Sequence, residues 1–146
     1  MAYFEIGVFN PRRDVNIGTL WRSACQLGAA GIFTIGQPYR RQTSDTALTP
    51  YQIPLRNYPG MEAFLAARPV GAVLVGVEMG GQPLAGFQHP ACALYLLGAE
   101  DGGLPPGVLE VCNAVVAIEA VNQASYNVAV AGSIVMYHRL ISAVGH

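Results

Sequence analysis

The chain has 146 residues, enough for one domain that buries an apolar core without needing disulfides. Hydrophobic residues make up 52% and charged residues 12%, but the best candidate span, Val128 to Ile141, is too short for a bilayer and carries His138 and Arg139. A net charge of −1 argues against a basic footprint over the whole domain, so the apolar excess points instead to surface hidden between subunits.

Tyr3–Phe9 reads as a short strand, followed by the turn-rich Asn10-Pro11-Arg12-Arg13-Asp14. From Ile17 to Leu27, Leu20, Trp21, Ala24 and Leu27 recur at helical spacing, and Gly28 and Gly31 end that helix. Ile32–Ile35 is a second strand. Gln37 to Pro59 holds no long periodic element and reads as one long loop, a length usually reserved for functional or mobile segments. Met61–Ala67 makes a short helix, Gly71–Val77 a buried third strand, and Gly80 to Pro90 a glycine- and proline-rich connection. Ala93–Leu97 is a fourth strand, Val108–Val111 a helical turn and Ala114–Ile118 a fifth strand. Val128 to Ser142 is a final helix, apolar on nearly every face. Strands that alternate with helices and stay apolar along their length predict an α/β fold, a mostly parallel sheet with helices on both faces. With no repeat and no visible boundary, 1–146 reads as a single domain.

Several chemistries lack their sequence signals. Cys25, Cys92 and Cys112 form no CxxC and suit buried thiols in a reduced cytoplasm, and no secretory leader is visible. His89, His138 and His146 have no metal-ligand spacing, so no metal is expected. Neither GxGxxG after the first strand nor GxxxxGK[ST] is present, and Ser23 and Ser125 lack a GxSxG setting. Ligands of parallel sheets bind outside the carboxyl ends of the strands, which directs attention to Val75–Glu78, Leu97–Leu104 and Ile118–Ser125. The charge is also uneven. All eight basic residues are arginine; seven of them, against four acids, lie in residues 1–68, leaving +3 there and −4 in the rest. Arginine forks match phosphate, so Arg12, Arg13, Arg40 and Arg41 are candidate contacts to an anionic polymer.

Three segments stand in a fixed order: Asn16-Ile17-Gly18-Thr19-Leu20-Trp21-Arg22-Ser23-Ala24, then Gly98-Ala99-Glu100-Asp101-Gly102-Gly103-Leu104, then Ser125-Tyr126-Asn127-Val128. Together they resemble the NxGxxxRxA, GxExxGL and SxNV motifs of the SpoU–TrmH ribose methyltransferases of the SPOUT superfamily, a likeness that covers nearly the whole chain. The resemblance implies an α/β fold with a C-terminal trefoil knot, an exception to the ordinary rules of chain connection. It also implies a homodimer, S-adenosyl-L-methionine as methyl donor, and an RNA substrate, tRNA rather than rRNA, methylated on a ribose 2′-hydroxyl. By the same resemblance Arg22 sits at the acceptor ribose, Asn16 and Glu100 support it, and Ser125 and Asn127 line the cofactor and acceptor pocket. Gly76, Val77, Gly98 and Ile118 offer backbone contacts to the methyl donor. An arginine, with a pKa above ~12, is a poor base, so orienting the ribose and stabilising developing charge is the role expected of Arg22.

Taken singly, these residues have structural readings too: Asn16 and Ser125 as helix N-caps, Arg22 as a solvated arginine, Glu100-Asp101 as loop solubilisers. Two departures from the family pattern matter. Ile118-Glu119-Ala120 stands where relatives commonly have Ile-Pro-Met, putting an acid near a cationic sulfonium, and the basic extensions of larger relatives are absent. The contrasting readings are a catalytically weak paralogue that binds RNA or cofactor without turnover, and a base methyltransferase like the knotted TrmD-type enzymes. A dimer interface is expected over Val128–Ile141 and part of the Asn16–Leu27 helix.

Overall fold

The computed structural model describes residues 2–39, 53–100 and 102–144. Six strands form one parallel sheet: β1 (Tyr3–Phe9), β2 (Gly31–Ile35), β3 (Leu55–Tyr58), β4 (Val73–Pro83), β5 (Cys92–Leu97) and β6 (Ala114–Ala117). Their order is β3-β2-β1-β5-β4-β6, so β1 and β5 are central. Every residue of β2, and all but the ends of β1 and the first residue of β5, is buried. That is why these strands read as continuous apolar runs: helices cover both faces.

On one face lie α1 (Asp14–Gln26) and α4 (Val128–Val144), which pack on each other and on the sheet through Leu20, Trp21, Ala24, Val128, Val135 and Met136. Gly132 permits the close approach, because a Cβ there would lie 2.5 Å from Leu20 Cδ1 and 3.0 Å from Leu97 Cδ1. On the other face, α2 (Met61–Ala67) and α3 (Pro106–Val111) bury Phe64 and Val108 against Phe33, Leu74, Leu94 and Leu96. Each such fully buried side chain contributes roughly 1.5–3 kcal/mol of hydrophobic stabilisation.

Three expectations need revision. The long middle loop contains a strand, β3, at the sheet edge. Its sequence Leu-Arg-Asn-Tyr has no apolar run because Arg56 and Asn57 face solvent; pairing to β2 and a Thr34 hydroxyl donating to Asn57 hold it. β4 does not end at Val77 but runs to Pro83, with a break in its register to β6 between Val77 and Gln82, where Gly80 has φ +90°. The last helix is apolar all round, yet fewer of its apolar residues face outward than expected. Val128, Ala129, Ala131, Val135 and Met136 belong to the core of the protomer itself. Val130, Tyr137, Leu140 and Ile141 face outward and stay 43–56% exposed. Val15 on α1 is likewise exposed, at 61%.

Candidate active site

The carboxyl ends of β5 and β6 and the bent middle of β4 open into a cleft of about 540 Å³. Its walls come from Val77–Gly80 within β4, Leu97–Glu100 and Gly102–Gly103 at the end of β5, and Ile118, Ala120 and Asn122–Tyr126 after β6; Val128 and Ala131 of α4 close the base. The loop after β5 folds back so tightly that Ala99 and Gly103 pair as an antiparallel bridge. Glycine is required at both ends of that bend. A Cβ on Gly98 would meet the Gly103 backbone at 2.3 Å, and Gly103 has φ +64° with the Glu78 carboxylate where its Cβ would be. Bare backbone therefore faces the cleft, a surface whose amides and carbonyls can read a polar ligand.

Glu78, which the sequence motifs did not single out, latches this loop. Its Oε2 accepts from the Leu104 N–H at 2.6 Å and its Oε1 from the Met79 N–H at 3.0 Å, while Leu104 is buried beneath. An acid directly after the apolar run Val73–Val77 was the available signal.

A second set of bonds runs along the cleft rim. The Asn127 amide donates to Asn16 Oδ1 at 3.0 Å, and the Asn16 amide donates to Glu100 Oε1 at 2.9 Å. Glu100 Oε2 in turn accepts the Arg12 N–H at 3.1 Å. The brace joins the loop before α4, the buried third position of α1 and the loop after β5, three segments widely separated in sequence. Partial burial alone would push the Glu100 carboxyl up. Bonds from Asn16, from its own backbone and from the Arg12 and Arg13 amides outweigh that and hold it below the usual carboxylate range. At neutral pH Glu100 is thus an ionised acceptor and cannot serve as a proton donor.

The structural readings of these residues sort themselves out. Asn16 lies inside α1, whose N-cap is Arg13, and is 7% exposed; it is no cap. The cap of α4 is Asn127 and not Ser125: Asn127 Oδ1 accepts from the Ala129 and Val130 N–H groups at 2.9 and 3.2 Å. Ser125 instead lines the cleft, its hydroxyl 3.8 Å from Met79 Sδ. Val77, Gly98, Glu100 and Ile118 also line it, whereas Gly76 lies one residue deeper, packed on Cys112 and Leu104. Arg22 is exposed on the outward side of α1 and does not line the cleft of its own protomer. Arg12 and Arg13 are exposed beside the rim; Arg40 and Arg41 lie outside the described residues. Glu119 turns away from the cleft, its Oε2 accepting the Ala85 N–H at 3.0 Å, which holds its carboxyl below the usual range. Tyr126 pins that turn by donating to the Glu119 carbonyl at 2.6 Å. Among the described residues, no group of three or more His, Cys, Asp or Glu side chains gathers as for a metal, and no helix is long and apolar enough to cross a membrane.

Comparison with known proteins agrees with this geometry. Residues 3–137 match the model of the SpoU rRNA Methylase family. The chain is similar in structure to a protein studied for the 2-OH methylation of C/U34 on tRNA, with TM-score 0.85, 24% identity and 99% of each chain covered. It is similar to the SpoU methyltransferase AviRb from Streptomyces viridochromogenes in complex with the cofactor AdoMet, with TM-score 0.83 and 25% identity, over 97% of this chain and 58% of that one. A TrmH/SpoU tRNA modifying enzyme from A. aeolicus matches with TM-score 0.84 and 16% identity, over 99% of this chain and 78% of that one. Among curated protein sequences, none matches the chain.

Proposed function

The chain belongs to the SpoU rRNA Methylase family, and from that premise we propose that it moves a methyl group from S-adenosylmethionine to a ribose 2′-hydroxyl of RNA, with tRNA the favoured substrate and rRNA the other. The observation that carries this reading is the Asn127–Asn16–Glu100 brace beside a glycine-walled cleft, which unites all three motif segments at one rim. The cleft fits the donor: about 540 Å³ is within the range of small-molecule sites, and Gly98 and Gly103 leave backbone where side chains would block entry. Val77, Gly98, Ile118 and Ser125 are the residues that would hold it, with Gly76 setting the strand behind them. When bound, S-adenosylmethionine supplies a methyl group activated on a sulfonium. Neither a metal nor a covalent enzyme intermediate is needed for its direct transfer.

The acceptor side calls on Arg22, which α1 leaves exposed and outside the cleft. We therefore read the active unit as a homodimer in which Arg22 of one protomer serves the cleft of its partner. Val130, Tyr137, Leu140 and Ile141 support this, since a patch of that size on one helix is usually covered. The Arg22 guanidinium engages phosphate and steadies charge developing on the ribose oxygen. Asn16, Glu100 and Asn127 position the rim, and Arg12 and Arg13, with Arg40 and Arg41, extend the phosphate contacts. A knotted C-terminal path, a single domain and a cytoplasmic setting belong to the same reading. The alternative of a binding paralogue keeps the low net charge as a motive, but Glu119 is directed at Ala85 and not into the cleft.

Incubation with labelled methyl donor and bulk tRNA or rRNA, followed by nuclease mapping, tests the proposal. Label on ribose is expected; label on bases alone, or none with donor bound, overturns it. Arg22→Ala should cut transfer at least ~100-fold, the scale of a lost oxyanion donor, with donor affinity within a few-fold.

A further inference from the structure

A second cavity, of about 380 Å³, lies on the α2 face of the sheet toward the amino ends of the strands. It shares no lining residue with the cleft. Tyr3 and Glu5 of β1, Arg56 and Tyr58 of β3, and Phe64 and Arg68 at α2 shape it. Glu5 is 6% exposed and both its oxygens are engaged: Oε1 pairs with Arg56 Nη1 at 3.3 Å, and Oε2 accepts the Tyr3 hydroxyl. Burial and that bond to Glu5 push the Tyr3 hydroxyl up to about 12, so it stays protonated and keeps holding the carboxylate. Glu5 is thus spent on fixing Arg56, whose side chain remains half exposed with further N–H donors. Arg68 brings a second guanidinium that has no acidic partner among the described residues. Two arginines against one fully engaged acid leave the cavity a net positive charge.

We infer that this cavity is an anion site that takes a phosphate group, with Arg68 and Arg56 as its two forks. Phosphate suits it better than a carboxylate because two arginines from separate elements line it, and a tetrahedral anion presents oxygens to both. The ring surfaces of Tyr58 and Phe64 give the rest of the cavity an apolar floor, where the sugar attached to a phosphate can lie. The phosphate can belong to an RNA chain or to a free phosphate or nucleotide. The RNA source rests on the reading of RNA as substrate, and would place a second contact on the face opposite α1 and α4.

The experiment uses the whole protein, with Arg68→Ala as the variant because Arg56 also neutralises buried Glu5. Arginine side-chain N–H resonances are followed by NMR while inorganic phosphate is added, and a single-stranded RNA oligonucleotide is titrated by anisotropy at several salt concentrations. The Arg68 resonance should shift saturably with phosphate. If RNA is the source, Arg68→Ala weakens RNA binding several-fold and lowers the salt slope by about 0.7, one phosphate's share on a single strand. Arg68→Lys should restore part of it. A phosphate-induced shift with unchanged RNA binding assigns the site to a free phosphate ligand. No shift together with unchanged RNA affinity overturns the inference. S-adenosylmethionine affinity, measured alongside, should not move in Arg68→Ala, so failure here is separable from failure of the methyltransferase reading.

Discussion

Removing the Asn127 side chain should damage two things at once, and the two can be separated. Asn127→Ala deletes the cap on α4, worth about 1 kcal/mol. It also leaves Asn16 Oδ1 without its donor, a loss of roughly 1–3 kcal/mol for a buried acceptor. Asn127 is itself exposed, so water can enter in its place, which argues for the lower end of that range. Asn16 cannot relax by turning its amide over, because that would point its oxygen at ionised Glu100. A total of about 2–3 kcal/mol follows, or roughly 6–9 °C in melting temperature for a chain of this size. Asn127→Asp keeps the acceptor for Ala129 and Val130 and adds a charge that suits a helix N-terminus, but sets a carboxylate against Asn16 Oδ1. It should therefore melt above Asn127→Ala while losing methyl transfer as severely. Thermal unfolding at one fixed protein concentration, beside a transfer assay, decides it. An Ala variant within about 0.5 kcal/mol of the native chain, or an Asp variant with full activity, would refute the brace.

Three further outcomes are expected. Gly98→Ala should weaken S-adenosylmethionine binding by tenfold or more, since its Cβ meets backbone at 2.3 Å, whereas Gly107→Ala, open on all sides in α3, should stabilise the fold by about 0.5–1 kcal/mol. Calorimetric titration and denaturant unfolding check the pair; equal donor affinity for Gly98→Ala and the native chain would contradict the cradle. His89 should make stability fall in acid: burial, then His138 and Arg139, lower its pKa from 6.5 to about 4, so the unfolded chain takes up the proton first. Stability is full above about pH 6.5 and declines as pH drops towards about 4, by up to ~3 kcal/mol if fully realised and about 1 kcal/mol once solvent screening of this half-buried ring is allowed for. His89→Gln should flatten that slope in pH-dependent urea unfolding, and an unchanged slope would remove His89 as its source. Ile141→Asp, on the outward side of α4, should give a folded monomer with S-adenosylmethionine affinity retained and transfer lost; light scattering that finds an active monomer would defeat the shared site.

Much of the sheet was legible because its central strands are buried on both faces, and a strand with no solvent side has no choice but to be apolar. β3 escaped for the converse reason. At the edge, Arg56 and Asn57 are free to be polar, Pro54 and Pro59 bracket the segment like a loop, and what holds it is the β2 ladder. The extension of β4 escaped because Gly80 and Gly81 read as a turn. Gly80 does turn the chain, but Gly81 then runs so close to β6 that a Cβ on it would lie 2.8 Å from the Val115 backbone, and the strand resumes. Composition also marked α4 as apolar all round without dividing the residues that enter the core from those that face outward. That division depends on which turn meets Leu20 and the sheet, so Val135 went inward and Tyr137 outward.

The site residues were legible as types at fixed spacing, and what their arrangement adds is a division of labour. An asparagine can be satisfied on two sides simultaneously, and Asn16 is, taking a donor from Asn127 and giving one to Glu100. Aspartate could not donate and leucine could do neither, so the motif asparagine is explained by the brace before any substrate is considered. The same holds for Gly98 and Gly103, which the bend requires, and for Asn127, which α4 requires. Arg22 differs in its place: it is exposed on α1 and does not line the cleft. A guanidinium exposed at that position can reach an RNA phosphate without any change in the packed core. That asymmetry makes Arg22, and not Glu100 or Asn16, the residue whose loss should separate chemistry from folding.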